Sequence, residues 1–162
     1  MQTFLPYSTA AECAEVLDNK RLNKQILECY QILKVISTNG KAWRNHPAVL
    51  MWEGAENELW TYTMAMVIEA NNREIKTKNN LDNLIALKKQ YGKSWGKNRP
   101  AFTKDQETLS RTMITHRANL YRKDSFVYAE FERAVNNPLN KPCCEGCQYY
   151  WPTHPLTKAK AN

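Results

Sequence analysis

Between Asp18 and Ile36, apolar side chains recur at Leu22, Ile26, Cys29, Tyr30, Leu33 and Ile36, the three- and four-residue spacing of a helix that buries one face. Glu28 falls off that stripe, with Arg21, Lys24, Gln25 and Gln31 within a turn or two on its side. Taken alone, this is a solvated face with a Lys24–Glu28 pair, worth roughly a few tenths of a kcal/mol. Other elements flank it. Thr9 and Glu12 form a capping box that opens a short helix to about Leu17, and Asn39-Gly40 supplies a left-handed stop. After Trp43-Arg44-Asn45-His46, Pro47 suits the first turn of another helix, which Gly54 breaks or bends. Ala55 to about Lys76 is helical through Leu59, Tyr62, Met66 and Val67 or Ile68. Lys76–Asn80 reads as a loop, Leu81–Tyr91 as a helix closed by Gly92, and Lys93–Pro100 as non-helical. From Lys104 a helix carries Leu109, Met113, His116 and Leu120 on one stripe, and a shorter one holds Phe126, Tyr128 and Phe131. Beyond Asn136 lie four of the seven prolines and no periodicity. The pattern predicts an all-α fold: a single compact helical domain over 1–152 and an irregular C-terminal tail whose last stretch, 153–162, is basic.

With 162 residues, 43% hydrophobic and 10% aromatic, the chain is large enough for a proper core and is not a disordered chain. No apolar run approaches the roughly 20 residues that cross a bilayer, and MQTFLPY lacks the regions of a signal peptide, so a cytoplasmic location is expected. A monomer is expected as well. Five cysteines, an odd count with Cys13 and Cys29 inside helical patterns, argue against a disulfide framework. The net charge of +7 is concentrated: residues 71–105 carry nine cations against three acids. Such a field attracts a polyanion, and nucleic acid is the leading partner. Within this stretch Trp95, between lysines and near Lys97 and Arg99, can lie over a phosphate backbone or stack on a base, or instead pack its loop onto the core. His46 beside Arg44 can meet a phosphate or cap the following helix.

No Ser-His-Asp arrangement can be assembled from the three histidines, and HExxH is absent; His116, on an apolar stripe, reads as a core histidine. Cys143, Cys144 and Cys147 with His154 offer enough ligands for a tetrahedral zinc, against which stand partly buried free thiols, the preferred reading. Glu28 and the amines remain. Cleavage of a glycosidic bond through an imine needs an amine nucleophile and a nearby carboxylate to manage protons. An α-amine that titrates near 8 is about one-tenth deprotonated at pH 7, far more than an ordinary lysine, which makes the chain's own N-terminus a candidate.

MQTFLPY, LDNKRLNKQ leading to Glu28, WRNHPAVLMW, HRANLYRKDSFVY and YYWP occur in one order from Met1 to Pro152. In these motifs the chain resembles the pyrimidine-dimer DNA glycosylases of the phage endonuclease V type, particularly their bacterial branch. The resemblance implies a helical domain in which the N-terminal amine attacks C1′ of a damaged (pyrimidine dimer) or modified pyrimidine nucleotide in duplex DNA, assisted by a glutamate on the long helix. Here those are Met1 and Glu28. It implies glycosylase and AP lyase steps without metal or cofactor, and a cytoplasmic place on the nucleoid, or in the host if phage-encoded. Lys20 and Arg21, with Lys24 beside them, would meet phosphates next to the reacting sugar, and Arg117, Arg122 and Lys123 would lie near the DNA. Two departures stand out. Gln2 is too large for removal of the initiator methionine, so the amine of Met1 itself must serve, and Leu27 stands where an arginine is expected. The competing expectations are a non-catalytic DNA-binding protein of the same fold and an interaction protein whose basic loop meets an acidic partner.

Overall fold

A computed structural model describes residues 1–154; the 155–162 part of the basic tail lies outside the described residues. Seven α-helices and three short 3-10 turns make up its regular structure, with no strand among the described residues. The fold is all-α. By packing, the chain forms two units: Met1–Thr3 with Thr9–Pro100, and Phe4–Ser8 with the chain from Ala101 onward. Among the described residues no helix is long and apolar enough to cross a membrane.

The first unit is built around α2 (Asn19–Ser37), which packs on α4 (Glu56–Asn72), with α1 (Ala10–Val16), α3 (Pro47–Leu50) and α5 (Lys78–Tyr91) completing it. The start of each early helix follows from its cap. Thr9 accepts from the Glu12 N–H, Asp18 from the Arg21 N–H, and His46 from the Ala48 N–H, with Pro47 in the first turn of α3. Leu22, Ile26, Cys29 and Leu33 are fully buried as the spacing predicts, and so is Ile32. Each such aliphatic side chain contributes about 1.5–3 kcal/mol by leaving water. Asn39, at φ 49°, supplies the left-handed residue after α2. Arg73, part of the basic surplus in sequence, is consumed internally: it pairs with Glu69 at 2.7 Å and donates to the carbonyls of Leu17, Glu15 and Ala14 at the end of α1. A guanidinium thus closes a helix terminus that has no glycine.

The loop 93–100 is fixed by backbone contact. The Glu56 carboxylate, buried, accepts from the Gly54 N–H at 2.7 Å and from the Gly96 N–H at 2.5 Å. A Cβ on Gly96 would stand 2.2 Å from the Gly54 carbonyl oxygen, and Gly54 itself sits at φ +78°. Only glycine fits either place.

The second unit is organised by α6 (Gln106–Lys123), which packs on the turn Ala129–Phe131 and on α7 (Glu132–Val135). Its buried face differs from the predicted one. Thr108, Thr112, Thr115, His116 and Asn119 are buried with Ala118 and Leu120, while Leu109 and Met113 are only partly covered. The threonines fit because their hydroxyls are satisfied within the helix, Thr112 on the Thr108 carbonyl at 2.8 Å and Thr115 on that of Thr112 at 3.0 Å. Phe126, assigned to a helix by the apolar pattern, is 92% exposed in a turn, and only Tyr128 and Phe131 reach the core. His116 is buried, as read. Its Nδ1 accepts from the Leu5 N–H at 2.9 Å, among the rings of Phe4, Tyr149 and Trp151. From Asn136 to His154 the chain has no helix or strand, as the prolines predict.

Burial pushes the His116 pKa down to about 3. Above the ordinary imidazole value the residue is neutral whether folded or not; below it the unfolded chain takes a proton that the folded one refuses, so stability is lost as pH falls. From pH 6.5 to 4.5 this group alone should cost about 2 kcal/mol. In urea unfolding, His116→Gln should start less stable at neutral pH yet show that much less acid sensitivity; identical slopes for the two proteins would disprove the assignment.

Candidate active site

The site is built where Met1–Thr3 lies along α2. Gln25 is 1% exposed, and its side-chain amide donates to the Gln2 carbonyl at 2.8 Å. The Gln2 side chain folds back to accept from the Thr3 N–H at 2.8 Å, and the Thr3 hydroxyl accepts from the Trp52 indole at 3.0 Å. Three successive residues at the chain end are therefore held by α2 and by the turn after α3. One helical turn beyond Gln25, Glu28 comes to lie beneath the amine: Met1 N is 4.0 Å from Glu28 Oε1. That distance is an ion pair's and is too long for a hydrogen bond.

Glu28 is buried, at 8% exposure, and is not the solvated acid that periodicity suggested. The N-terminal segment covers it, a contact no helical spacing encodes. Lys24 also reaches its Oε1, at 3.8 Å, from a largely exposed position. Two primary amines thus address one carboxylate oxygen. Next to them His46 is half-buried, and its imidazole is held below the ordinary range first by burial and then by the positive charge of the N-terminal amine. Its Nδ1 accepts from Ala48 at 3.1 Å, which assigns the proton of the neutral ring to Nε2. The Trp43 ring meets His46 edge-on at 5.6 Å, is 60% exposed, and stands at φ 64°, a conformation bulky residues rarely adopt.

The remaining sequence-selected residues take varied positions. Lys20 is exposed, and Arg21 is paired with Asp18 at the start of α2. Arg44 is paired with Glu53, and its Nη1 is buried without a hydrogen-bond partner. Lys97 and Arg99 are exposed on their loop. Trp95 is not: it is 5% exposed, packs against Trp60 at 5.7 Å and donates to the Ser37 hydroxyl at 2.8 Å. The packing alternative is the one the structure adopts, because the glycine contact draws the loop inward. In the second unit Arg117 is half-buried, donating to the Pro6 carbonyl at 2.6 Å and lying over the Tyr7 ring, whereas Arg122 and Lys123 are exposed at the end of α6. Leu27, where the resemblance expects arginine, is an exposed apolar side chain.

Sequence reasoning left out Thr3, Trp52 and Trp43. The first two carried no signal, since their roles depend on a contact 49 residues apart in the chain. Trp43 is distinguished only by its backbone and exposure.

The family model described as pyrimidine dimer DNA glycosylase matches residues 1–83. The chain belongs to this family. The match contains Met1, Lys20, Arg21, Lys24, Glu28, Arg44 and His46, and ends within α5. The motifs HRANLYRKDSFVY and YYWP, and with them Arg117, Arg122 and Lys123, lie beyond it, as do Trp95, Lys97, Arg99 and the cysteine cluster. No curated protein and no solved structure gives a significant match to the chain.

If Gln25 is what holds the chain end, Gln25→Leu should leave the Gln2 carbonyl unsatisfied and cost about 1–3 kcal/mol. Urea unfolding would read that loss. Removal of Met1 by an aminopeptidase should accelerate by about tenfold or more, the rate equivalent of 1.4 kcal/mol. Unchanged stability together with unchanged trimming would show that the contact holds nothing.

Proposed function

We propose that this protein is a DNA glycosylase with AP lyase activity that acts on pyrimidine dimers in duplex DNA, with the Met1 α-amine as nucleophile and the Glu28 carboxylate handling protons. The observation that carries the reading is the 4.0 Å approach of Met1 N to a buried Glu28 in the family-matched part of the chain. The neutral amine attacks C1′ of the damaged nucleotide; the bond to the base breaks with its electron pair, and the departing base takes a proton. The sugar ring then opens, O4′ gaining a proton while the nitrogen loses one, to give an imine. Withdrawal of electrons into that imine acidifies the C2′ hydrogen. Its removal expels the 3′ phosphate, which nicks the strand, and water releases the sugar remnant from Met1. In this reading Glu28, 4.0 Å from the amine, takes the proton from the attacking nitrogen and serves these transfers, a contribution typically of 10²–10⁴-fold. The nucleophile comes from the chain itself, so the reading assigns no resident cofactor.

Of the two amines at Glu28, the α-amine is assigned as the nucleophile because α-amines are as a chemical class less basic than lysine amines. Lys24, exposed, is assigned to phosphate together with Lys20, Arg21 and the loop cations Lys97 and Arg99; Arg44, Arg117, Arg122 and Lys123 extend the set, and binding should weaken with salt. His46, half-buried beside the amine with its pKa held below the ordinary imidazole range by burial and by the N-terminal charge, is assigned to the sugar-phosphate next to the reacting centre. Trp43 takes the stacking role that the buried Trp95 leaves open.

Borohydride added to protein and a duplex with a dimer or an abasic site should trap a covalent adduct that maps to Met1 by peptide mass spectrometry. Blocking the N-terminus should abolish it. Glu28→Gln should lose about 10²–10⁴-fold in base release while still binding DNA. DNA binding without any adduct would establish the non-catalytic alternative, and an adduct on Lys24 would move the nucleophile to the helix. Trp43→Ala should weaken binding to dimer-containing duplex by about tenfold, as loss of one base-stacking contact does, with little effect on undamaged duplex; equal losses on both would remove Trp43 from lesion recognition.

A further inference from the structure

The strongest feature unused by the active site lies in the second unit, in the chain after α7. Two anchors on α6 hold this irregular segment at its ends. Arg111 donates to the Lys141 carbonyl at 2.8 Å and to that of Pro142 at 3.3 Å, with its guanidinium 4.0 Å over the Tyr150 ring. Further on, Asn119 donates to the Gln148 carbonyl and Thr115 accepts from the Tyr150 N–H at 3.1 Å. Between these anchors the chain makes a tight knuckle. Gly146 takes φ +81° with open space around it, the Cys147 N–H donates to the Cys144 carbonyl at 3.1 Å, and the Cys143 N–H to that of Tyr149 at 3.4 Å. The turn after Trp151, closed by the His154 N–H at 3.0 Å, then returns an imidazole to the same place.

As a result, the ligand atoms of Cys143, Cys144, Cys147 and His154 all lie within 4.8 Å of one another. In a tetrahedral zinc site with bonds of about 2.0–2.3 Å, ligand atoms stand roughly 3.5–3.8 Å apart, so the widest pairs of the cluster need to close by about 1 Å, while the sulfurs of Cys144 and Cys147 must part. Within it Cys144 and Cys147 are joined as a disulfide, a bridge the odd cysteine count did not lead one to expect. A disulfide accounts for two of the four groups. The other two converge on the same point: the buried Cys143, whose thiol donates to the Tyr149 carbonyl at 3.5 Å, and His154.

We propose that in its reduced state this cluster is a structural zinc site, with Cys143, Cys144 and Cys147 as thiolates and His154 as the neutral imidazole ligand. Three soft sulfurs and one nitrogen suit zinc over magnesium or calcium, which take oxygen ligands. Binding releases the three thiol protons and leaves the centre with one net negative charge. All four positions are filled by protein from one segment, so the metal closes that segment on itself beside its anchors on α6 and has no open position for water or substrate. The disulfide is the metal-free, oxidised alternative, since a sulfur bonded to sulfur is not a thiolate ligand.

The full chain, purified under reductant, should carry one zinc by native mass spectrometry and elemental analysis. Exchange with cobalt(II) should give the ligand-field bands of a tetrahedral ion and a sulfur-to-cobalt charge-transfer band. Cys147→Ser should lose about a third of that charge-transfer intensity, two thiolates remaining of three, while His154→Ala should keep it and shift the ligand-field bands. Far-ultraviolet circular dichroism of each variant separates loss of a ligand from loss of fold. The proposal is overturned if the reduced wild type takes up neither zinc nor cobalt at equimolar metal, or if cobalt binds without charge transfer. A chain that remains two mass units lighter, as the Cys144–Cys147 disulfide, in the presence of reductant and zinc overturns it equally.

Discussion

The side-chain amide of Gln25 donates to the main-chain carbonyl of Gln2, and through that bond the freest part of a polypeptide, its end, is laid against a rigid helix. The rest of the site depends on it. A terminus left in solvent samples many conformations, and ordering each residue costs about 1–2 kcal/mol that local contacts must return. Here the Trp52–Thr3 and Gln2–Thr3 hydrogen bonds add to the Gln25 contact, so that all three groups act within three residues of the amine. The same covering segment takes Glu28 out of water. One arrangement thereby both fixes the amine and buries its carboxylate.

Charge is distributed with some economy around this point. Glu28 faces two cations, Met1 and Lys24, at nearly the same distance, but only Lys24 extends into solvent. His46 responds to the same N-terminal charge and stays neutral, with its ring oriented by the N-terminus of α3. Several cations counted as surface charge in the sequence prove to be internal ties, Arg73 at the end of α1 and Arg111 over the Tyr150 ring among them. The cations left to meet a ligand directly include Lys97 and Arg99, which are exposed.

What the sequence made legible divides along the range of the interaction. The cap at Thr9, Pro47 in the first turn of α3 and the left-handed Asn39 are local, and each appears where its residue type demands; the cap at Asp18 is equally local, but the periodic pattern includes that residue in the helix. The buried face of α2 was legible because aliphatic side chains mark it; that of α6 was not, because threonines with internally satisfied hydroxyls pack as apolar groups while counting as polar. Glu28 could be singled out only by resemblance to a family, since the amine it faces lies outside its helix. Trp95 shows the converse: a tryptophan among lysines suggests a nucleic-acid platform, yet its own burial and its hydrogen bond to Ser37 decide.

The joint that sets Trp95 inward is made where atoms are missing. Gly54 and Gly96 touch backbone to backbone, clasped by the two oxygens of Glu56; a methyl group at Gly96 would have to displace the main chain of Gly54, and Gly54 itself holds a φ of +78° that side chains rarely adopt. Sequence drift in this family member therefore has no gradual path through that joint: each single change there is a large one. The neighbouring Lys97 and Arg99 face solvent and carry no such restriction. Their charge can be raised, lowered or reversed without moving the loop, so the affinity of this surface for a polyanion can vary while the fold beneath it stays fixed.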